Sequence, residues 1–247
     1  MRLDAGRPAA GLFDDFLVAG LVVDDSAAAP APPSASSARA GPSALKPALL
    51  YHFKQAEGGA AAIVEFCFPD LEDTTSSESF TFTLTQGEGT RVFGFCRRLV
   101  QPGKLPICLC VLSQRPWFSL FMHMLDILQL NYDLVRFVPA FVGAAFAAPL
   151  PAPGRASTAA TIPIEPLYRG ERFFGSFRLS PPEDDRPTGV HFDGLFGSLG
   201  AANVLRVLGA LMTEQHVIFV GSRWGHVSGC AHAATVLLYP LEWQHSA

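Results

Sequence analysis

The residues whose types could do chemistry gather in four places. Around Gly221-Ser222-Arg223-Trp224-Gly225 the sequence reads as strand, turn and helix. Such a turn could aim helix N–H groups at a phosphate, or present Ser222 as a hydrolase elbow does. Neither spacing is complete. The G-x-G-x-x-G and G-x-x-x-x-G-K-[ST] patterns are absent, and Ser222 follows Gly221 directly where G-x-S-x-G needs a residue between. A structural turn after a buried strand is the expectation. His226 and Cys230 lie four apart and share a helix face, but they form one ligand pair with no carboxylate or second pair nearby. Cys108 and Cys110 flank Leu109 in a strand and point the same way, which a buried sheet face explains. Glu183, Asp184 and Asp185 fall in a proline-rich loop and read as a solvated charge run. The sequence thus offers no catalytic constellation, and no metal or cofactor is expected.

Bulk properties agree. A chain of 247 residues, 49% hydrophobic and 16% charged, has enough apolar material for a sizeable core. A net charge of −4 disfavours nucleic acid as the main partner, and no polybasic cluster favours direct binding to anionic membranes. Five cysteines, an odd number set in apolar runs, read as reduced, buried thiols of a cytoplasmic protein. The apolar run FLVAGLVV is bracketed by Asp14, Asp15, Asp24 and Asp25 and is no signal peptide. The stretch 137–148 contains Pro139 and is too short to span a bilayer.

The elements that must position these residues follow from periodicity. Phe80, Phe82 and Leu84 alternate with Thr81, Thr83 and Thr85, a half-buried strand. Gln86-Gly87-Glu88-Gly89 makes a tight turn and 91–96 returns as its partner. The continuous apolar run 106–112 predicts a central strand covered on both faces. Pro116 suits the first position of a helix in which Trp117, Leu120, Phe121, Met124, Leu125 and Leu128 recur at helical spacing, leaving Ser119, His123 and Asp126 as a polar strip. Further on, a helix over 202–215 places Val204, Leu208, Leu211 and Met212 on one face. Residues 217–220 then form a short buried strand, and 225–238 a small-residue helix stopped by Pro240. Ala/Pro/Ser-rich segments at 26–44 and 147–163 read as an insertion and a linker, with a further loop at 180–189.

Taken in order, FDDFLVAGLV, LLYHF, FCFPD, FTFTLTQGEG, FGFCR, ICLCVLS and PWFSLF resemble the successive motifs of the upstream part of a DENN module. FGSLGAANVLRVLGALMTEQHVIFVGS and LLYPLEWQH resemble the start of its central part. The resemblance implies an α+β protein: a longin-like antiparallel sheet with flanking helices over 12–146, a linker over 147–163, and the start of an α/β central lobe over 164–247. In the family, further strands and a downstream helical part follow, so the 217–220 strand would here be short of sheet neighbours. The resemblance also implies a guanine-nucleotide exchange factor, or an N-terminal fragment of one, that binds a Rab GTPase in vesicle trafficking and makes no covalent bonds. Such a protein would be cytoplasmic, reaching vesicle or endosomal membranes only indirectly, through its GTPase or through the further parts of the module. The alternative is a scaffold that keeps the fold and binds without exchange. By placement, Arg97, Arg98, Trp117, Glu214, Gln215, Arg223, Trp224 and His226 are the candidate partner-binding residues.

Overall fold

A computed structural model describes residues 11–23, 45–54, 60–71, 75–85, 89–132, 137–147, 160–163, 176–179, 189–241 and 243. The 26–44 insertion, the turn residues Gln86 to Glu88, the acidic run Glu183 to Asp185, and most of the 147–163 linker lie outside the described residues.

Five strands make one antiparallel sheet: β1 (Asp15–Val23), β2 (Leu45–His52), β3 (Glu78–Thr85), β4 (Arg91–Leu99) and β5 (Ile107–Ser113), in the order β2-β1-β5-β4-β3. The 106–112 run is the middle strand, as its unbroken apolarity predicts. Successive side chains on the inner strands feed two different cores. Phe16, Val18, Phe95, Leu109 and Val111 face the helices α2 (Phe118–Leu130) and α3 (Phe137–Ala147). Leu17, Ala19, Leu21, Cys96, Cys108, Cys110 and Leu112 face the other way, toward α1 (Ala60–Phe66) and the Cys67-Phe68 pair behind it. The result is a three-layer α+β lobe, so both faces of β5 are dry. Pro47 is tolerated in β2 because that strand is an edge.

In α2 the Phe118, Phe121, Met124, Leu125 and Leu128 stripe is core, and Ser119, His123 and Asp126 are exposed. Pro116 sits two places before the first helical position it was expected to fill: Trp117 is the N-cap and Phe118 the first helical residue. Pro139 occupies the first turn of α3, where its missing N–H has no intrahelical acceptor to lose.

A short ladder pairs β6 (Ala160–Pro163) with β7 (Ser176–Leu179). Beyond it come α4 (Asp193–Met212) and α5 (Trp224–Val236), which share a small core of Leu195, Val204, Leu211, Cys230, Ala233, Ala234, Leu238 and Trp243.

Two expectations need correction here. The helix over 202–215 begins at Asp193, whose carboxylate favours the helix start, and is broken at Gly200 (φ 71°, ψ 158°). Its glycines lower helix propensity and mask the true start from a reading of apolar spacing. Met212, placed on the inner face, is 63% exposed. The buried strand over 217–220 is not formed: the segment is unpaired among the described residues, with Ile218 and Val220 85% and 92% exposed. Val217 and Phe219 do pack on the α4–α5 core. A two-residue alternation is present, with Val217 and Phe219 on the core and Ile218 and Val220 in solvent.

Among the described residues only α4 is long and apolar enough to cross a membrane. Its break at Gly200 interrupts the backbone ladder, which lipid penalises, and its inner stripe packs on α5.

Candidate partner-binding surface

The two lobes meet where the start of α5 lies against the outer edge of β3. Gly225 permits the approach, because a Cβ there would stand 2.2 Å from the Ser79 carbonyl oxygen. No side chain of the N-cap residue Arg223 satisfies the helix's first N–H groups. Glu78 does this from the other lobe: its Oε2 accepts from the Gly225 N–H at 3.3 Å, and its charge suits the positive end of the helix dipole. The second oxygen, Oε1, takes Arg98 Nη2 at 3.0 Å, and Arg98 Nε donates to the Ser76 carbonyl at 3.1 Å. Three residues along, the Thr81 N–H donates to Ser228 Oγ at 3.2 Å, so the edge strand is covered rather than left open. His232 packs between the rings of Phe93 and Phe118, at 6.2 and 4.9 Å. Burial lowers its pKa to about 4, so it is neutral near pH 7.

This geometry decides between the readings of the 221–225 turn. The N–H that a phosphate would need at Gly225 is already given to a carboxylate. A nearby cavity of 140 Å³, lined by Leu211, Val217, Phe219, Ala234 and Trp243 among others, is apolar and far below the roughly 300–1,000 Å³ of small-molecule sites. The region is built to join lobes and to present a surface.

The eight candidate residues separate accordingly. Arg98 is 1% exposed and is withdrawn from any surface; it positions Glu78, and through it α5. The sequence places it at a strand end, but β4 runs on to Leu99 and turns it into the β3 side of the sheet. Arg97 points to the opposite face, where its guanidinium binds Asp126 and, at 3.0 Å, Gln129 of α2. Trp117 is half-buried against the α2 core, with the Arg115 guanidinium 5.4 Å from its ring. Glu214 and Gln215 are exposed where α4 ends; Glu214 takes a left-handed backbone (φ 55°), and the Gln215 N–H returns to the Ala210 carbonyl at 2.9 Å. Arg223 and His226 are exposed at the start of α5, and Trp224 is 41% exposed. His226 Nε2 lies 2.6 Å from Ser198 Oγ and 3.8 Å from Cys230 Sγ, which ties α4 to α5.

What the sequence reading missed is that Ile218 and Val220 are exposed. The VIFV alternation signals one inner and one outer face, and reading the run as a buried strand hid the outer one. Arg223 and Trp224, which follow closely in sequence, are of the residue types enriched in protein-binding hot spots.

Comparison with known proteins places these features in a family. The family model described as the DENN (AEX-3) domain matches residues 104–246, more than half of the chain, and the uDENN domain model matches 47–99. DENN domain-containing protein 2B of Homo sapiens is 37% identical over 204 residues, covering 78% of this chain and 17% of the relative. DENN domain-containing protein 2C of Mus musculus is 36% identical over 202 residues, 78% of this chain and 21% of the relative. DENN domain-containing protein 2D of Homo sapiens is 32% identical over 195 residues, 75% of this chain and 40% of the relative. The chain thus spans about a fifth of the length of the 2B and 2C proteins. The β1–β5 sheet draws strands from both sides of the boundary between the two family matches.

Proposed function

Because the chain belongs to the DENN (AEX-3) domain family, we propose that it acts as a guanine-nucleotide exchange factor, or as the amino-terminal portion of one, for a Rab GTPase in vesicle trafficking. The observation that carries this reading is the pair of consecutive family matches, uDENN then DENN, reaching across residues 47–246. Exchange needs no covalent chemistry. The factor binds the nucleotide-free GTPase more tightly than the loaded one, and by linkage lowers nucleotide affinity by the same factor. Such binding draws the switch segments away from the Mg²⁺ and phosphates that order them.

In this reading Arg223 and Trp224, with Ile218 and Val220 beside them in sequence, form the main contact with the GTPase. Glu214 and Gln215 form a second contact at the far end of the 214–223 connection. His226 and Trp117 border the contact, and Arg97 serves by holding α2 against β4. The protein then works in the cytoplasm, and its GTPase brings it to vesicle or endosomal membranes.

The test is release of fluorescent GDP from a panel of Rab proteins. The chain accelerates release from at least one, and Trp224→Ala or Arg223→Glu cuts the acceleration at least tenfold, as loss of a hot spot worth about 2 kcal/mol would. Binding without accelerated release replaces this reading with a scaffold of the same fold. Neither binding nor release overturns both.

A further inference from the structure

Three of the five cysteines, Cys67, Cys96 and Cys108, meet at one point in the core, with Cys110 next to them on the sheet. Cys96 on β4 pairs directly with Cys110 on β5, and Cys108 lies two residues along β5 and so on the same face. Cys67, just behind α1, closes over them. All four are 0% exposed, and none is in a disulfide. The sulfur atoms of Cys67, Cys96 and Cys108 lie within 4.8 Å of one another.

The distances suit a metal ion. Zinc–sulfur bonds of about 2.3 Å in a tetrahedron set sulfurs about 3.8 Å apart, so a contraction of no more than roughly 1 Å brings Cys67, Cys96 and Cys108 to that spacing. Binding a cation would displace the thiol protons. Arg98 is the register partner of Cys108. The other face of the same strands carries Phe95, Leu109 and Val111, so the thiols are confined to one patch of one face.

We propose that Cys67, Cys96, Cys108 and Cys110 form a thiolate site for a soft d¹⁰ cation, zinc or copper(I), that clamps the end of α1 to the sheet. An all-sulfur donor set selects these cations over magnesium or calcium. On binding, each coordinating thiol gives its proton to solvent. Because the four sulfurs are sealed from water, loading accompanies folding, when Cys67 docks.

The chain is refolded anaerobically under a reductant with zinc, with copper(I), or with neither, desalted, and weighed by native mass spectrometry. Wild type and Cys230→Ser retain about one cation per chain, and the cation retained when both are supplied equally identifies the resident metal. Cys67→Ala, checked for fold by circular dichroism, retains at least tenfold less. Should that variant fail to fold, cobalt(II) refolding of wild type decides: a thiolate-to-cobalt charge-transfer band supports the site, and its absence overturns it. Folded wild type that retains neither zinc nor copper(I), or a folded Cys67→Ala that retains as much as wild type, also overturns it.

Discussion

The strand β5 and the segment 217–220 carry the same kind of sequence and meet opposite fates. ICLCVL in β5 is almost wholly buried, hydrogen-bonded to β1 on one side and β4 on the other, with α1 above and α2 and α3 below. In VIFV only Val217 and Phe219 find a core, and Ile218 and Val220 stand in solvent. An apolar run states that a segment can be buried on two faces; whether it is depends on a neighbour to cover each. The first lobe is closed on itself, and the second keeps an open side beside Arg223 and Trp224.

The sharpest way to break this comparison is one substitution in both places. Val111→Lys puts a charge where exposure is 0%, against Phe95 and Leu109, and is expected to unfold the sheet lobe outright, seen as loss of the cooperative urea transition. Next in size is the joint between the regions. Glu78→Ala leaves the buried Arg98 charge without its carboxylate and the start of α5 without its acceptor; a loss of about 3 kcal/mol is expected from denaturant midpoints.

Acid provides a smaller perturbation of the same joint. The His232 pKa is lowered from 6.5 unfolded to about 4 folded, so between those values the unfolded chain binds the proton and the folded chain does not. Its contribution to stability is therefore full above about pH 6.5 and is lost as pH falls toward 4. Part of the imidazole remains accessible, so the loss is discounted from the full shift to about 1–2 kcal/mol. His232→Phe should flatten that part of a stability–pH curve. The smallest effect is the second half of the pair: Val220→Lys, at 92% exposure, should change stability by no more than about 0.5 kcal/mol. If Val220→Lys destabilises as Val111→Lys does, the open side is not open.

The first lobe was largely legible because its signals are local. Phe80 to Thr85 alternates, 106–112 is unbroken, and α2 repeats at helical spacing. The helices α1 and α3 were not, since an Ala-rich turn and a stretch holding Pro139 carry little periodicity. Long-range features escaped as well. Nothing local to Arg98 announces that Glu78 and the start of α5 will enclose it. Cys67 and Cys96 show no ligand spacing with Cys108 and Cys110, because the sheet and the end of α1 bring them together. The candidate partner-binding residues were legible only as exposed ends of elements, which holds for Arg223, Trp224, Glu214 and Gln215 and fails for Arg98.

The most direct test of the central claim is hydrogen exchange of the chain with and without nucleotide-free Rab proteins. In the free chain, the amides of β1, β4 and β5 should exchange slowly and those of 217–220 fast. The account predicts that a bound Rab slows exchange across 214–226 and leaves β5 unchanged. Protection confined to the sheet lobe, or none at 214–226 in a complex that forms, would contradict it.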